Sequence, residues 1–322
     1  MNNIKFPVLY CPFHSAINPH CDAAYQHTLN WMHSFSFAVD QSVYQTLLLG
    51  KFHVLVARAY PYASLEDMEI ITDLMFWNFF IDDQFEKAGV SKQPEILEPL
   101  KDRLVEVIKK DAKLTDIDTP TVRAWGDFMQ RLHHHPSATT SECVLRFTKH
   151  IEGYFQAIYG EALNNSQEII LDVATFMKTR TFTIAAYPYM DLILMTDQIA
   201  LPPAVFKHPI VKRLELATIN IIAWSNDLFS FNKEMKAGHN NFNLVTVLQQ
   251  EYQLSLQQAF DHAAELHNTE VQLFIDLLAQ VPSFGTEIDA NLERYLLGLR
   301  FWIRTNLDWS AETGRYKSNQ AA

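Results

Sequence analysis

Asn226, Ser230 and Glu234 recur at four-residue intervals within the stretch Asn226-Asp227-Leu228-Phe229-Ser230-Phe231-Asn232-Lys233-Glu234. On a helix of about 3.6 residues per turn, that spacing keeps all three side chains on one face. An amide oxygen, a hydroxyl and a carboxylate make an oxygen-rich donor set suited to a hard divalent cation such as Mg2+. Lys233 follows Asn226 by nearly two turns, so its ammonium can reach an anion beside that metal. A metal and a cation on one face suggest a phosphate-bearing substrate.

A second cluster lies upstream in Phe79-Phe80-Ile81-Asp82-Asp83-Gln84-Phe85-Glu86. Asp82 and Glu86 share a helix face, and Asp83 flanks it by about 100°. Taken alone, the three acids would read as a solvated helix end. Here they directly follow an apolar run from Leu74 to Ile81, where uncompensated carboxylates are costly. The pairing with the second motif favours metal binding.

These helices need a scaffold, and composition says which kind. The chain has 322 residues, nearly half of them apolar, and only 9 glycines. That is well below the average glycine usage of about 7% and favours long helices over a strand-rich fold. Helical patterns run near 23–38, 41–59, 65–87, 92–112, 119–134, 139–164, 168–196, 208–236, 241–250, 254–280 and 285–306. They are punctuated at Pro61, Pro136, Pro202-Pro203, Pro209, Gly238 and Pro282. Residues 1–22, with Pro7, Pro12 and Pro19, read as an irregular segment draped over the body. With no repeat and no low-complexity linker, one all-α domain over 1–322 is the simplest expectation.

The net charge of −11 argues against nucleic acid as a partner. It does not exclude a small anionic substrate, whose charge bridging metals would offset. Cys11, Cys21 and Cys143 fit no tight ligand pattern and suit a reduced, cytosolic setting. No apolar signal segment or membrane-length run is visible, so a cytoplasmic protein without a membrane span is expected. His133-His134-His135 reads as an exposed helix end, and Cys11, His14, His20 and Cys21 match no zinc spacing. Glu265 and His267 lack the Glu-x-x-His spacing of a di-iron bundle.

The two motifs together resemble the aspartate-rich and NSE motifs of microbial class I terpene synthases. Arg180 lies where that family places its diphosphate-sensing arginine, and Arg315-Tyr316 resembles its C-terminal arginine–tyrosine pair. Trp309 precedes that pair, and Asn18-Pro19-His20 with Trp31 resembles the family's opening segment. The likeness spans essentially the whole chain and implies a helical bundle around a central active-site cavity.

The resemblance implies that three Mg2+ ions bind between the motifs and act as Lewis acids on an isoprenyl diphosphate leaving group. It implies that Asp82 holds two of them and that Asn226, Ser230 and Glu234 chelate the third. Asp83 and Glu86 would orient water or basic residues, or join the metal set. Arg180, Lys233, Arg315 and Tyr316 would donate hydrogen bonds to the diphosphate, the arginines through forked contacts. An ordinary surface arginine is the other reading of Arg180, given Lys178 nearby. Phe79 and Trp309, with Phe76 and Trp302 as weaker candidates, would line a dry cavity whose aromatic faces stabilise a carbocation. Asn78 would border the cavity and hold a water or touch substrate, or else bond a neighbouring helix.

The family also has a helix break whose main-chain carbonyl points at the substrate. Thr183 would occupy the linker position and Ile184 would supply that carbonyl, where many relatives carry Asp and Gly. Pro188 would add a kink farther along the same helix. The leading expectation is a Mg2+-dependent sesquiterpene cyclase acting on farnesyl diphosphate, as a monomer or homodimer. The alternatives are a diterpene cyclase using geranylgeranyl diphosphate, a chain-elongating prenyl synthase and a non-enzymatic helical binding protein. A chain-elongating enzyme would carry aspartates where this chain has Asn226 to Glu234.

Overall fold

Residues 4–36, 40–87, 93–109, 113–137, 140–237 and 242–317 are described by a computed structural model, with backbone only at 84–87, 140 and 237. Every regular element among them is an α-helix. In chain order these are α1 (Cys21–Phe35), α2 (Gln41–Gly50), α3 (Phe52–Ala59), α4 (Leu65–Lys87), α5 (Pro94–Val107), α6 (Pro120–His133) and α7 (Thr140–Ser166). They continue as α8 (Val173–Thr183), α9 (Ala186–Thr196), the short α10 (Pro203–Lys207), α11 (Pro209–Ala237), α12 (Leu244–Tyr252), α13 (Leu256–Leu278) and α14 (Thr286–Glu312). The all-α expectation holds, and no helix among the described residues is long and apolar enough to cross a membrane.

Local chemistry sets several helix starts. Asp40, Thr119, Asp172 and Asn243 each accept backbone N–H bonds at the first turns of α2, α6, α8 and α12. Ser255 and Gln258 form a reciprocal capping box at α13.

Three expected helices differ in their limits. The stretch 41–59 is two helices, because Lys51 turns left-handed at φ 51°. Gly50 is required beside it, since a Cβ there would fall 2.3 Å from the Phe52 ring. The stretch 168–196 is also two helices, broken at Ile184 and Ala185. Pro188 sits in the first turn of α9, where its missing N–H costs nothing, and so starts a helix rather than kinking one. Finally, α14 runs on to Glu312, carrying the chain back toward α2 and α3.

The helix that carries the first motif is central. α11 packs against α8, α9, α12, α13 and α14, and its buried positions run around most of its circumference. One apolar cluster behind it joins Phe176 of α8 with Trp224, Leu228 and Phe231 of α11 and Val245, Leu248 and Phe260 of α12 and α13. α4 lies in the larger core, packed against α1, α2, α3 and α6. Asp82 of α4 thereby has a rigid apolar support behind it and a cavity in front.

Candidate active site

Asn226, Ser230, Lys233 and Glu234 all line one cavity, together with Asp82, Arg180, Arg315 and Tyr316. Helices α4, α8 and α11 and the segment after α14 therefore converge on a single polar mouth. The i, i+4, i+8 geometry on α11 is the local reason three of these side chains emerge on the same side.

Each polar group at the mouth has a defined environment. Arg180 donates through Nε to Asp227 Oδ1 at 2.9 Å and through Nη2 to Asn226 Oδ1 at 2.9 Å. The Asn226 amide in turn donates to the Tyr316 hydroxyl at 2.9 Å. Glu234 Oε2 accepts from Asn243 Nδ2 at 2.8 Å. The Ser230 hydroxyl is buried without a hydrogen-bond partner, although it lies near enough to Glu234 to favour that carboxylate's ionised form. Burial pushes the Glu234 carboxyl up, Asp227 adds to the rise, and Arg180 only partly offsets it. Burial likewise raises Asp227 despite the Arg180 guanidinium beside it.

Across the mouth, Arg315 donates to Asp83 Oδ2 at 2.8 Å and to Asp82 Oδ2 at 3.2 Å. Lys233 approaches Asp83 at 3.5 Å. Burial would raise the Asp83 carboxyl, but Arg315 and then Lys233 outweigh it and hold it below its ordinary value. Asp83 is buried and Asp82 is half-exposed, so the adjacent acids have separate environments. Glu86 lies on the last turn of α4, and its side chain falls outside the described residues.

The tail that delivers Arg315 is pinned at the α2–α3 junction. Trp309 Nε1 donates to Gly50 O at 2.7 Å, Thr313 Oγ1 to Gly50 O at 2.9 Å, and Gly314 N to Leu49 O at 3.1 Å. This corrects the expectation for Trp309, which is 1% exposed and not among the cavity-lining residues. Its indole is committed to the tail anchor. Phe76 is likewise not a lining residue, because it is fully buried edge-on to Phe52 at 5.3 Å.

Phe79 does line the cavity. It stacks on Phe52 at 4.0 Å and receives the Arg315 guanidinium over its ring at 4.8 Å. Leu97, Tyr154, Ile158, Ala162 and Phe242 contribute the less polar wall. Asn78 borders this wall with its amide oxygen buried and unpartnered. Thr183 and Ile184 line it too, but the left-handed residue of the break is Ala185, at φ 57°.

Sequence reading missed Asp227, Glu161, Asn165 and Asn243. An acid inside the apolar stretch from Ile221 to Phe231 signals a required partner for Asp227. Glu161 and Asn165 on α7 join the lining only through tertiary packing. The discounted histidines also have ordinary roles: His133 contacts the Ile108 carbonyl at 2.9 Å and His135 pairs with Asp67 at 2.9 Å.

A family profile described as "Terpene synthase family 2, C-terminal metal binding" matches residues 73–272, which includes both motifs and Arg180. The chain belongs to terpene synthase family 2. It is thus a terpene synthase, a lyase acting on a diphosphate ester. It is 37% identical to a (+)-T-muurolol synthase ((2E,6E)-farnesyl diphosphate cyclizing) from Roseiflexus castenholzii, across 96% of this chain and 93% of that one. It is 34% identical to a germacrene A synthase from Nostoc punctiforme, across 98% of this chain and 96% of the relative. The crystal structure of germacradien-4-ol synthase from Streptomyces citricolor matches this terpene synthase with a TM-score of 0.83 at 25% identity, covering 95% of this chain and 99% of that one.

Proposed function

We propose that this terpene synthase ionises farnesyl diphosphate in a Mg2+-dependent reaction and cyclises the carbocation to a sesquiterpene, releasing diphosphate. The observation that carries the proposal is one cavity lined both by charged and oxygen-donor side chains and by apolar ones. The full-length likeness to sesquiterpene synthases supports the choice of substrate.

The residues at the mouth fit hard divalent cations. Asp82, Asn226, Ser230 and Glu234 present only oxygen donors to the cavity apart from the Asn226 amide nitrogen, which Tyr316 engages. Ser230 Oγ is a buried oxygen without a partner, and the buried Asp227 and half-buried Glu234 are like charges sharing one guanidinium. A divalent ion would satisfy both deficits. Asp82 would hold metal on the α4 side, and Asn226, Ser230 and Glu234 on the α11 side. Three ions are proposed by resemblance to the family. When bound, Mg2+ supplies Lewis acidity to the diphosphate leaving group.

The chain's own groups account for the remaining work. Arg180, Lys233, Arg315 and Tyr316 surround the mouth and would donate hydrogen bonds to the diphosphate oxygens. Arg315 now bonds Asp82 and Asp83, so turning toward the substrate would exchange a carboxylate for a diphosphate partner. The allylic C–O bond breaks with its electron pair leaving on diphosphate, and the cation remains beside Phe79. That ring face stabilises positive charge without offering a nucleophile, by about 0.5–2 kcal/mol. The apolar wall excludes bulk water until ring closure is followed by proton loss or capture of a single water.

The test is incubation of purified protein and Mg2+ with geranyl, farnesyl and geranylgeranyl diphosphate in separate reactions. Diphosphate release and gas chromatography–mass spectrometry should show cyclic product chiefly from farnesyl diphosphate. A main product from geranylgeranyl diphosphate would transfer the assignment to diterpene cyclisation, and no release from any substrate would sink it.

A further inference from the structure

Asn243 makes more hydrogen bonds than its place in the chain requires. It is fully buried at the start of α12, where its Oδ1 accepts from Val245 N at 2.9 Å. A helix cap needs only that acceptor. Yet Asn243 Nδ2 also donates to two atoms of α11, the Asp227 carbonyl oxygen at 2.8 Å and Glu234 Oε2 at 2.8 Å. The next residue repeats the attachment, with Leu244 N donating to Asp227 Oδ2 at 3.0 Å.

These contacts span the oxygen triad of α11. Asp227 is adjacent to Asn226, and Glu234 is the last member of the triad. A carboxylate with one oxygen tethered to a buried amide loses free rotation about its Cγ–Cδ bond. The start of α12 consequently sets the orientation in which Glu234 meets the cavity. The amide donor also offsets some of the cost of burying Glu234 close to Asp227, where two like charges share one arginine.

We propose that Asn243 is a positioning residue for the divalent-cation site, acting through Glu234 and joining α12 to the metal-binding face of α11. The proposal rests on the reading of Glu234 as a metal ligand. Outer hydrogen-bond partners of ligands typically control metal affinity by about 10–100-fold.

Asn243→Ser separates the two roles of the side chain, because serine caps a helix as well as asparagine but is too short to tether Glu234. Mn2+ binding to the whole protein, read by electron paramagnetic resonance with inorganic diphosphate present, should weaken by about 10–100-fold. The helical circular dichroism should be unchanged, and the Mg2+ concentration giving half-maximal diphosphate release should rise in parallel. In a Glu234→Gln background the same change should have no further effect on Mn2+ binding. Wild-type affinity in Asn243→Ser, or an undiminished effect in that background, would leave Asn243 as a cap alone and overturn the proposal. If Asn243→Ser does not fold, Asn243→Asp keeps the volume and the cap while exchanging the donor for a carboxylate. It should shift Mn2+ affinity by at least about tenfold, and an unchanged affinity overturns the proposal equally. Glu234→Gln alone distinguishes the two failures: if it binds Mn2+ as wild type does, the ligand reading of Glu234 falls and Asn243's role falls with it.

Discussion

Arg146 and Arg315 each sit among carboxylates in the interior of this terpene synthase, yet their clusters end differently. Arg146 on α7 donates to Asp191 of α9 at 2.7 Å and to Glu215 of α11 at 2.7 Å. His150 takes the other Asp191 oxygen, and the Tyr295 hydroxyl of α14 donates to Glu215 at 2.7 Å. None of these residues lines the cavity, and the cluster ties four helices together. At the mouth, Arg315 and Lys233 pair with Asp82 and Asp83, Arg180 pairs with Asp227 and also favours the nearby Glu234 carboxylate, and the Ser230 hydroxyl has no partner. Similar residue types therefore serve opposite ends. Saturation with protein partners fixes architecture, whereas a deficit facing a cavity leaves valence for a ligand.

Breaking each cluster should expose that difference, and the larger free-energy effect belongs to the saturated one. Arg146→Leu leaves Asp191 and Glu215 buried without their guanidinium. It should destabilise the fold by about 3–5 kcal/mol in denaturant melts. The Mg2+ dependence of the folded fraction should stay unchanged. A near-wild-type melt would mean that His150 and Tyr295 alone satisfy those carboxylates. Asn226→Ala makes the converse cut. It should lower diphosphate release by at least about a hundredfold, more than loss of an outer partner costs, while the melt moves by less than about 1 kcal/mol. Wild-type turnover there would remove Asn226 from the metal set.

The mouth was the more legible of the two clusters, for a physical reason. Asn226, Ser230 and Glu234 are brought together by helix periodicity, and so are Asp82 and the apolar run before it; that short-range geometry can be counted along the chain. The all-α architecture followed from scarce glycine and long 3.6-residue patterns in the same way. Arg146, Asp191, Glu215 and Tyr295 come from four helices. Asp191, the one acid in the apolar run from Tyr189 to Met195, signals a buried partner, but nothing local says which residues supply it. Trp309 shows the limit from the other side. The family resemblance implied a cavity wall for it, but the path of α14 past residue 306 brings its indole to the Gly50 carbonyl. Asn243 fell inside the helix expected over 241–250; its role as the cap of α12 depends on where that helix starts, and its bond to Glu234 on how α11 and α12 pack.

The clusters meet at the break between α8 and α9. Arg180 at the mouth and Asp191 in the saturated cluster lie on either side of Ala185, which lines the cavity at φ 57°. Left-handed backbone costs a residue with a Cβ about 1–2 kcal/mol. Glycine would avoid that cost but lose about 0.4–1 kcal/mol through its freer unfolded chain. Ala185→Gly should therefore stabilise the fold by about 0.5–1 kcal/mol. Calorimetry should detect this as a rise of about 1–2 °C in Tm, the smallest of the expected effects. Turnover need not rise with it. The strained residue belongs to the wall that includes Thr183 and Ile184, and stored backbone strain at such a site is held in place by the surrounding structure. A stabilised variant with reduced turnover would locate part of the mouth's function in the rigidity of the break. A lower Tm would mean that the packing of the Ala185 methyl contributes more than its backbone costs. The saturated cluster would then be fixing α9 against a well-packed joint, with no strain for the break to store.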